Sequence, residues 1–272
     1  TNPAGQIANM HTLFNIVTTI ILLPFGTQLA AIATKILPER ASEKEVGFHL
    51  KYINAIPENR SRDVQVGSTA IAIHNIASEL SRMAGMVAEN IQESFEAVQG
   101  ATSKNLESVT QREEYVDYLN KEISSYISTF MSQEENPRDT AAINAYYKIC
   151  SNLERIGDHA MNICEYSKRL DDQELSFSDM AIVEIESMRK ACLEAIDYFR
   201  TMQPFSQDDL AKVSALEEKI DDMTDSYRDN QISRMKMKEC SHETSILYSE
   251  MLTDFERIGD HALNIGEALA SM

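Results

Sequence analysis

The stretch Glu154-Arg155-Ile156-Gly157-Asp158-His159-Ala160-Met161-Asn162-Ile163 returns almost unchanged as Glu256-Arg257-Ile258-Gly259-Asp260-His261-Ala262-Leu263-Asn264-Ile265. Only the eighth position differs, Met against Leu, a swap that conserves volume. Chance does not write such a string twice in one chain, so whatever this chain folds into is built as a duplication. Each copy lies in a helical pattern and sets a Glu and an Asp at i, i+4, on one helix face. The duplicated unit therefore carries acidic chemistry.

The rest of the chain is written for helices. Of its six prolines only Pro137 and Pro204 follow Pro57, and the nine glycines fall mostly between long runs rich in Ala, Glu, Leu, Met and Lys. The pattern predicts a first helix from Gly67 to about Val98, with Ile71, His74, Ile76, Leu80, Met83, Val87 and Ile91 near one face and Gly100 as its stop. A second covers Lys104 to Ser132. Asn136-Pro137 starts a third that runs to Leu170. Ser178-Asp179 opens a fourth, ending near Gln203-Pro204. Ser206-Gln207-Asp208-Asp209 resembles a capping box for a fifth, with Asp in place of the usual Glu or Gln. A sixth runs from about Ser241 to the end.

Helices one to three then align with four to six. Glu113 and Asp117 on the second helix answer Glu217 and Asp221 on the fifth, and Asn152-Leu153 before the first string answers Asp254-Phe255 before the second. The predicted fold is all-α: two tandem three-helix bundles related by pseudo-twofold symmetry, with repeat one over 67–172 and repeat two over 173–272.

The N-terminus differs. Thr1 to Thr34 carries no formal charge, and the run from His11 to Ile36 is mostly apolar, long enough for a membrane span with Lys35, Arg40 and Lys44 as a basic flank. Residues 1–40 are therefore expected to be a transmembrane helix and 41–66 a linker with short extended pieces around Phe48 to Ile56. A buried helix of a soluble core is the alternative.

Each string makes a stripe, Glu154, Asp158 and Asn162 or Glu256, Asp260 and Asn264. Like charges at i, i+4 cost an isolated helix roughly 0.2–0.5 kcal/mol, which a bound hard cation would offset. With the second-helix pair, each repeat can offer four carboxylates across a groove, a donor set suited to magnesium, manganese, calcium or iron. The competing reading is a solvated acidic face with Arg155 and Arg257 as local partners. The mid-helix glycines Gly157 and Gly259 favour close approach of a neighbouring helix or ligand, since each costs about 1 kcal/mol against Ala. His159 and His261 sit five residues after the Glu, not at the Glu-x-x-His spacing of ferritin-like di-iron sites, and read as supporting residues. Asn162 and Asn264 read as hydrogen-bonding between helices.

With 43 acidic and 25 basic side chains, a formal charge of -18, the chain has no footprint for nucleic acid. The four cysteines have no CxxC pair and read as reduced thiols. No nucleophile-base set, phosphate loop or dinucleotide fingerprint appears, so nothing supports an enzyme.

The strings and the paired Glu113/Asp117 and Glu217/Asp221 resemble the PhoU family over roughly Gly67 to Met272. The resemblance implies two three-helix repeats, metal clusters and a role in phosphate homeostasis. By position it implies Glu113, Asp117, Glu154 and Asp158 for one cluster and Glu217, Asp221, Glu256 and Asp260 for the other, holding iron, manganese or magnesium. His11-Thr12-Leu13-Phe14-Asn15 followed by Leu23-Pro24-Phe25 resembles the last span of bacterial type II-like sodium/phosphate cotransporters, some of which end in a PhoU-like domain; the upstream spans and Gln-Ser-Ser-type motifs are absent here. Together these imply a regulatory domain on the cytoplasmic side of the bacterial inner membrane, with the transporter's membrane domain as partner, signalling proteins as further partners and a homodimer compatible with the fold. The rival is a free-standing PhoU-like adaptor acting on a transporter or sensor kinase. A metal-dependent hydrolase or oxidase is the third reading.

Overall fold

The structure, a computed structural model, describes residues 3–22, 47–53, 65–131 and 136–272. Seven helices are found among the described residues: α1 (Pro3–Leu22), α2 (Gln65–Gln99), α3 (Leu106–Met131), α4 (Pro137–Asp172), α5 (Asp179–Asp197), α6 (Gln207–Met237) and α7 (His242–Ala270). Thr1–Phe48, with α1, and His49–Met272 form two separate compact units.

Local chemistry sets the helix starts where the sequence placed them. Asn136 caps α4, its side-chain oxygen accepting from the Arg138 amide at 3.1 Å with Pro137 in the first turn. Ser206 and Asp209 complete the capping box of α6 in both directions, so the shorter Asp carboxylate suffices. Ser178 and Ser241 cap α5 and α7.

Two helix expectations are corrected. Ile71 and His74 face solvent, Ile71 at 62% exposure, because Ala72 takes the inward place above Ile76, Leu80, Met83, Val87 and Ile91. The fourth predicted helix stops at Asp197 rather than near Gln203: the chain turns there to bury Phe199 and Met202, and Phe199 stacks on Phe205 with centroids 5.9 Å apart.

Helices α2, α3 and α4 make one bundle and α5, α6 and α7 the other. Across the repeats, α4 lies along α7 and α2 along α5. A single apolar core runs through both bundles, and Phe95 of α2 stacks on Phe255 of α7 with centroids 4.7 Å apart. The repeats are thus halves of one domain, because each presents a second apolar face that only its copy covers. The body also begins earlier than residue 67. Ile53 is buried, and the amides of Lys51 and Tyr52 bond to the Glu79 carboxylate, so 49–53 is docked rather than a free linker. No strand occurs among the described residues of that segment, and 54–64 lies outside them.

Among the described residues no helix, α1 included, is long and apolar enough to cross a membrane. The expected span therefore gains no support from α1. Its second half and the flank of Lys35, Arg40 and Lys44 lie outside the described residues.

The mid-helix glycines mark close helix approach. A Cβ on Gly157 would meet Val116 at 3.4 Å, an ordinary contact, while one on Gly259 would meet two atoms of the fully buried Ile220 at 3.3 Å. Gly157→Ala is expected to gain about 0.5–1 kcal/mol from helix propensity. Gly259→Ala should gain less or lose, since Ile220 must shift. Urea unfolding of the two variants checks this, and equal gains would show that the approach at Gly259 is not limiting.

Candidate metal centre

Glu113 and Asp117 lie one turn apart on α3, and α4 brings Asp158 against them. One oxygen of each of the three carboxylates lies within 4.8 Å of the others. Glu217, Asp221 and Asp260 repeat the arrangement between α6 and α7. Six of the eight sequence-predicted residues thus converge as two matching trios. Glu154 and Glu256 do not join them: Glu154 stands near enough to repel Asp158 and Asp117, and Glu256 is held by Arg228 at 3.1 Å.

The electrostatics record crowding of negative charge. Burial, then Asp117 and Asp158, push the Glu113 carboxyl up to about 7. Burial and carboxylate neighbours also raise Glu154, Glu217 and Asp221, and burial raises Asp158 against the pull of His159 and Arg155. The bland reading survives in part at the second trio, where Arg257 lies 2.9 Å from Asp260. That arginine is 54% exposed, and such a pair contributes little. Asp221 Oδ1 is buried with no hydrogen-bond partner, as is Thr224 Oγ1 one turn further on. An orphaned oxygen on a carboxylate that shares its trio with two more suits a hard cation, and the all-oxygen donor set fits magnesium, manganese, calcium or iron.

In chelator-treated protein the raised Glu113 makes a signed prediction. Its folded value lies above the unfolded one, so the folded state holds the proton longer, and stability present below about pH 4.5 is lost as pH rises to about 7. The stability of Glu113→Gln relative to the parent should climb over that window by about 1–2 kcal/mol, discounted for solvent screening. Thermal melts of both proteins at pH 4.5 and 7.5 read it, and a constant difference would place Glu113 outside the crowded cluster.

Between the trios runs a polar seam that the sequence pointed to without revealing. His159, next to Asp158, bonds through Nδ1 to Asp254 Oδ1 at 2.7 Å. Asp254 also accepts from Asn162 and from the Tyr166 hydroxyl, at 3.1 and 2.7 Å. By pseudo-symmetry His261, next to Asp260, bonds to Asn152 Oδ1 at 2.9 Å, and the two imidazoles stack 5.6 Å apart. Burial, then His159 and Arg155, push His261 down to about 4, so this ring is neutral near pH 7. Neither histidine joins a trio; each bonds to a residue of the other repeat. The Asn152/Asp254 correspondence was legible in the sequence; its partners, across the seam, were not.

Fold and trios define a class: a duplicated three-helix domain presenting an oxygen-only cluster on each repeat. The chain belongs to the PhoU family, the PhoU domain matching residues 80–167 and 185–269, one stretch per repeat. A protein of Thermotoga maritima described as phosphate-specific transport system accessory protein PhoU homolog 1 is 26% identical over 195 residues, covering 71% of this chain and 83% of that one. A PhoU homolog of Clostridium acetobutylicum is 24% identical over 201 residues, covering 72% of this chain and 90% of its own length. Crystal structures of PhoU from Pseudomonas aeruginosa and of the phosphate transport system regulatory protein PhoU from Streptococcus pneumoniae share the fold. Their TM-scores are 0.68 and 0.66 at 20% and 18% identity, covering 75% and 74% of this chain and 97% and 94% of theirs.

Proposed function

We propose that this chain is a regulatory accessory protein of phosphate transport. In this reading its two carboxylate trios hold hard cations, and it acts by engaging a transport or signalling protein in trans on the cytoplasmic side. The observation that carries the cation part is the pair of matching trios with the orphaned Asp221 oxygen. The phosphate part rests on family membership and on relatives described as accessory proteins of phosphate-specific transport systems. Glu113, Asp117 and Asp158 would hold one cation; Glu217, Asp221 and Asp260 the other. A bound cation would supply positive charge that removes the repulsion between α3 and α4, and between α6 and α7. His159 and His261, each held from the other repeat, orient the helix segments that carry Asp158 and Asp260.

The apolar run from His11 to Ile36 favours a second reading, the C-terminal regulatory domain of a sodium/phosphate cotransporter-like protein. The relatives are described as accessory proteins of phosphate-specific transport systems, which favours action in trans.

The test is phosphate uptake, and its response to external phosphate, in the native host. Three strains are compared: the parent, a deletion, and an Asp158→Asn/Asp260→Asn chain at equal protein level. Deletion should alter the response, and the double variant should reproduce the deletion. An unaltered response on deletion would remove the phosphate reading; a double variant behaving as the parent would remove the cation reading.

A further inference from the structure

The two repeats differ in how each meets one buried carboxylate. Glu79 in α2 and Glu184 in α5 hold the same place, each immediately before its PhoU-matched stretch, and both are buried. Glu184 finds its partners within its own repeat: Arg234 binds it through both terminal nitrogens, at 3.0 and 2.8 Å, and Asn230 donates at 2.8 Å. Among the described residues, Glu79 meets no such arginine from α3. Counted from the paired carboxylates of each repeat, Phe130 stands where Arg234 does. Its cation is instead Arg82, one turn along α2, where repeat two has Ser187.

The remaining Glu79 oxygen is filled from outside the bundle. The backbone amides of Lys51 and Tyr52 both donate to Oε1, the latter at 2.6 Å. Arg82 reaches past Glu79 to donate to the His49 carbonyl at 3.0 Å, and its guanidinium lies over the Tyr115 ring, 5.0 Å from the centroid. The Tyr115 hydroxyl donates to the same carbonyl at 3.0 Å and accepts from the His49 amide at 3.3 Å. Tyr115 lies between Glu113 and Asp117 on α3, where repeat two has Lys219. Leu50 packs on the core and Ile53 enters it. Arg82, Tyr115 and Phe130 are thus three changes from repeat two, and the first two bond directly to the segment 49–53.

We infer that Glu79, with Arg82 and Tyr115, is a docking socket for a bent backbone segment, filled in cis by His49–Ile53, and that this strap mechanically links the chain upstream of residue 49 to α2 and α3. Backbone amides are the right ligands for a buried carboxylate oxygen with no side-chain donor to spare, since leaving it unmet is costly. Recognition through amides and a carbonyl reads the backbone itself: the bend at Lys51 and Tyr52 turns two successive N–H groups toward one anionic oxygen, while Leu50 and Ile53 anchor the segment on the core. A force on the upstream segment is delivered to the back of the helix whose front carries Glu113 and Asp117. The socket stands on its own geometry and does not depend on a cation at the trios.

Amide hydrogen exchange on the full chain, with Glu79→Ala and Tyr115→Phe beside the parent, tests this. The Lys51 and Tyr52 amides should exchange at least tenfold faster in Glu79→Ala and severalfold faster in Tyr115→Phe, with the amides of Ile149 and Phe255 unchanged as a fold control. Release should also speed exchange in α3 around Tyr115 to Leu119 and leave the matching stretch of α6, Lys219 to Met223, as in the parent. Should Glu79→Ala fail to fold, Tyr115→Phe, which removes one hydroxyl, carries the test. Strap amides that exchange without protection in the parent would overturn the socket, and strap release with no change in α3 would overturn the link.

Discussion

Asp158→Asn is expected to lower manganese affinity at the first trio by at least about 100-fold while leaving the second trio unchanged. Replacing one of three oxygens that converge within 4.8 Å removes a unit charge and a hard donor beside the cation. At such range a charge pair in a part-exposed protein groove interacts by about 4 kcal/mol, and 2.8 kcal/mol already amounts to about 100-fold. Glu154→Gln separates the three-dimensional arrangement from the sequence motif. The motif counts Glu154 as an equal ligand and predicts the same loss. The structure leaves it outside the trio, acting through charge across a screened distance, so its loss should stay under about tenfold. Two-site titration followed by manganese electron paramagnetic resonance reads both numbers. Unchanged affinity in Asp158→Asn would return the acidic pairs to solvated surface. Arg257→Ala should raise affinity at the second trio a fewfold, because that arginine competes for Asp260.

Arg234→Met is expected to cost about 3–5 kcal/mol, a large share of the total stability of a domain. The side chains of Arg234 and Glu184 are 8% and 6% exposed, and the Tyr248 hydroxyl donates to the same carboxylate. Burial and the Glu184 carboxylate push the Tyr248 hydroxyl up, so it remains a donor at working pH. Removing the arginine leaves a buried carboxylate with neutral donors only. The double variant Glu184→Gln/Arg234→Met should recover most of the loss, because the cost lies in the stranded charge rather than in absent packing. Urea unfolding of both single variants and the double measures the coupling. A double variant as unstable as Arg234→Met would show that guanidinium packing against the Tyr248 ring, 5.1 Å away, carries the stability instead.

These two predictions mark what was legible beforehand. The acidic pairs could be read because an i, i+4 spacing is a local property of one helix. That Asp158 would meet Glu113 and Asp117 while Glu154 would not depends on how α3 and α4 are rotated against each other. Side-chain volumes set that rotation, with Val116 and Val87 near Gly157. Arg234 and Glu184 are distant in sequence, and nothing about either singles it out as buried. The docked strap was equally hidden: 41–66 is polar and reads as a linker, and Ile53 becomes core only because the bundle leaves a place for it.

The sequence by itself determined the duplication, the six helices of the body with their serine and asparagine caps, and the acidic pairs, since each rests on periodicity or on neighbours within a few residues. Only the tertiary structure decided that two bundles share one core, which six carboxylates converge, that the histidines meet Asp254 and Asn152 across the seam, and that Glu79 takes its donors from His49–Ile53. The physical reason is range: a helix is closed by hydrogen bonds four residues apart, whereas convergence is set by crossing and rotation between segments far apart in the chain, to which every packed side chain contributes.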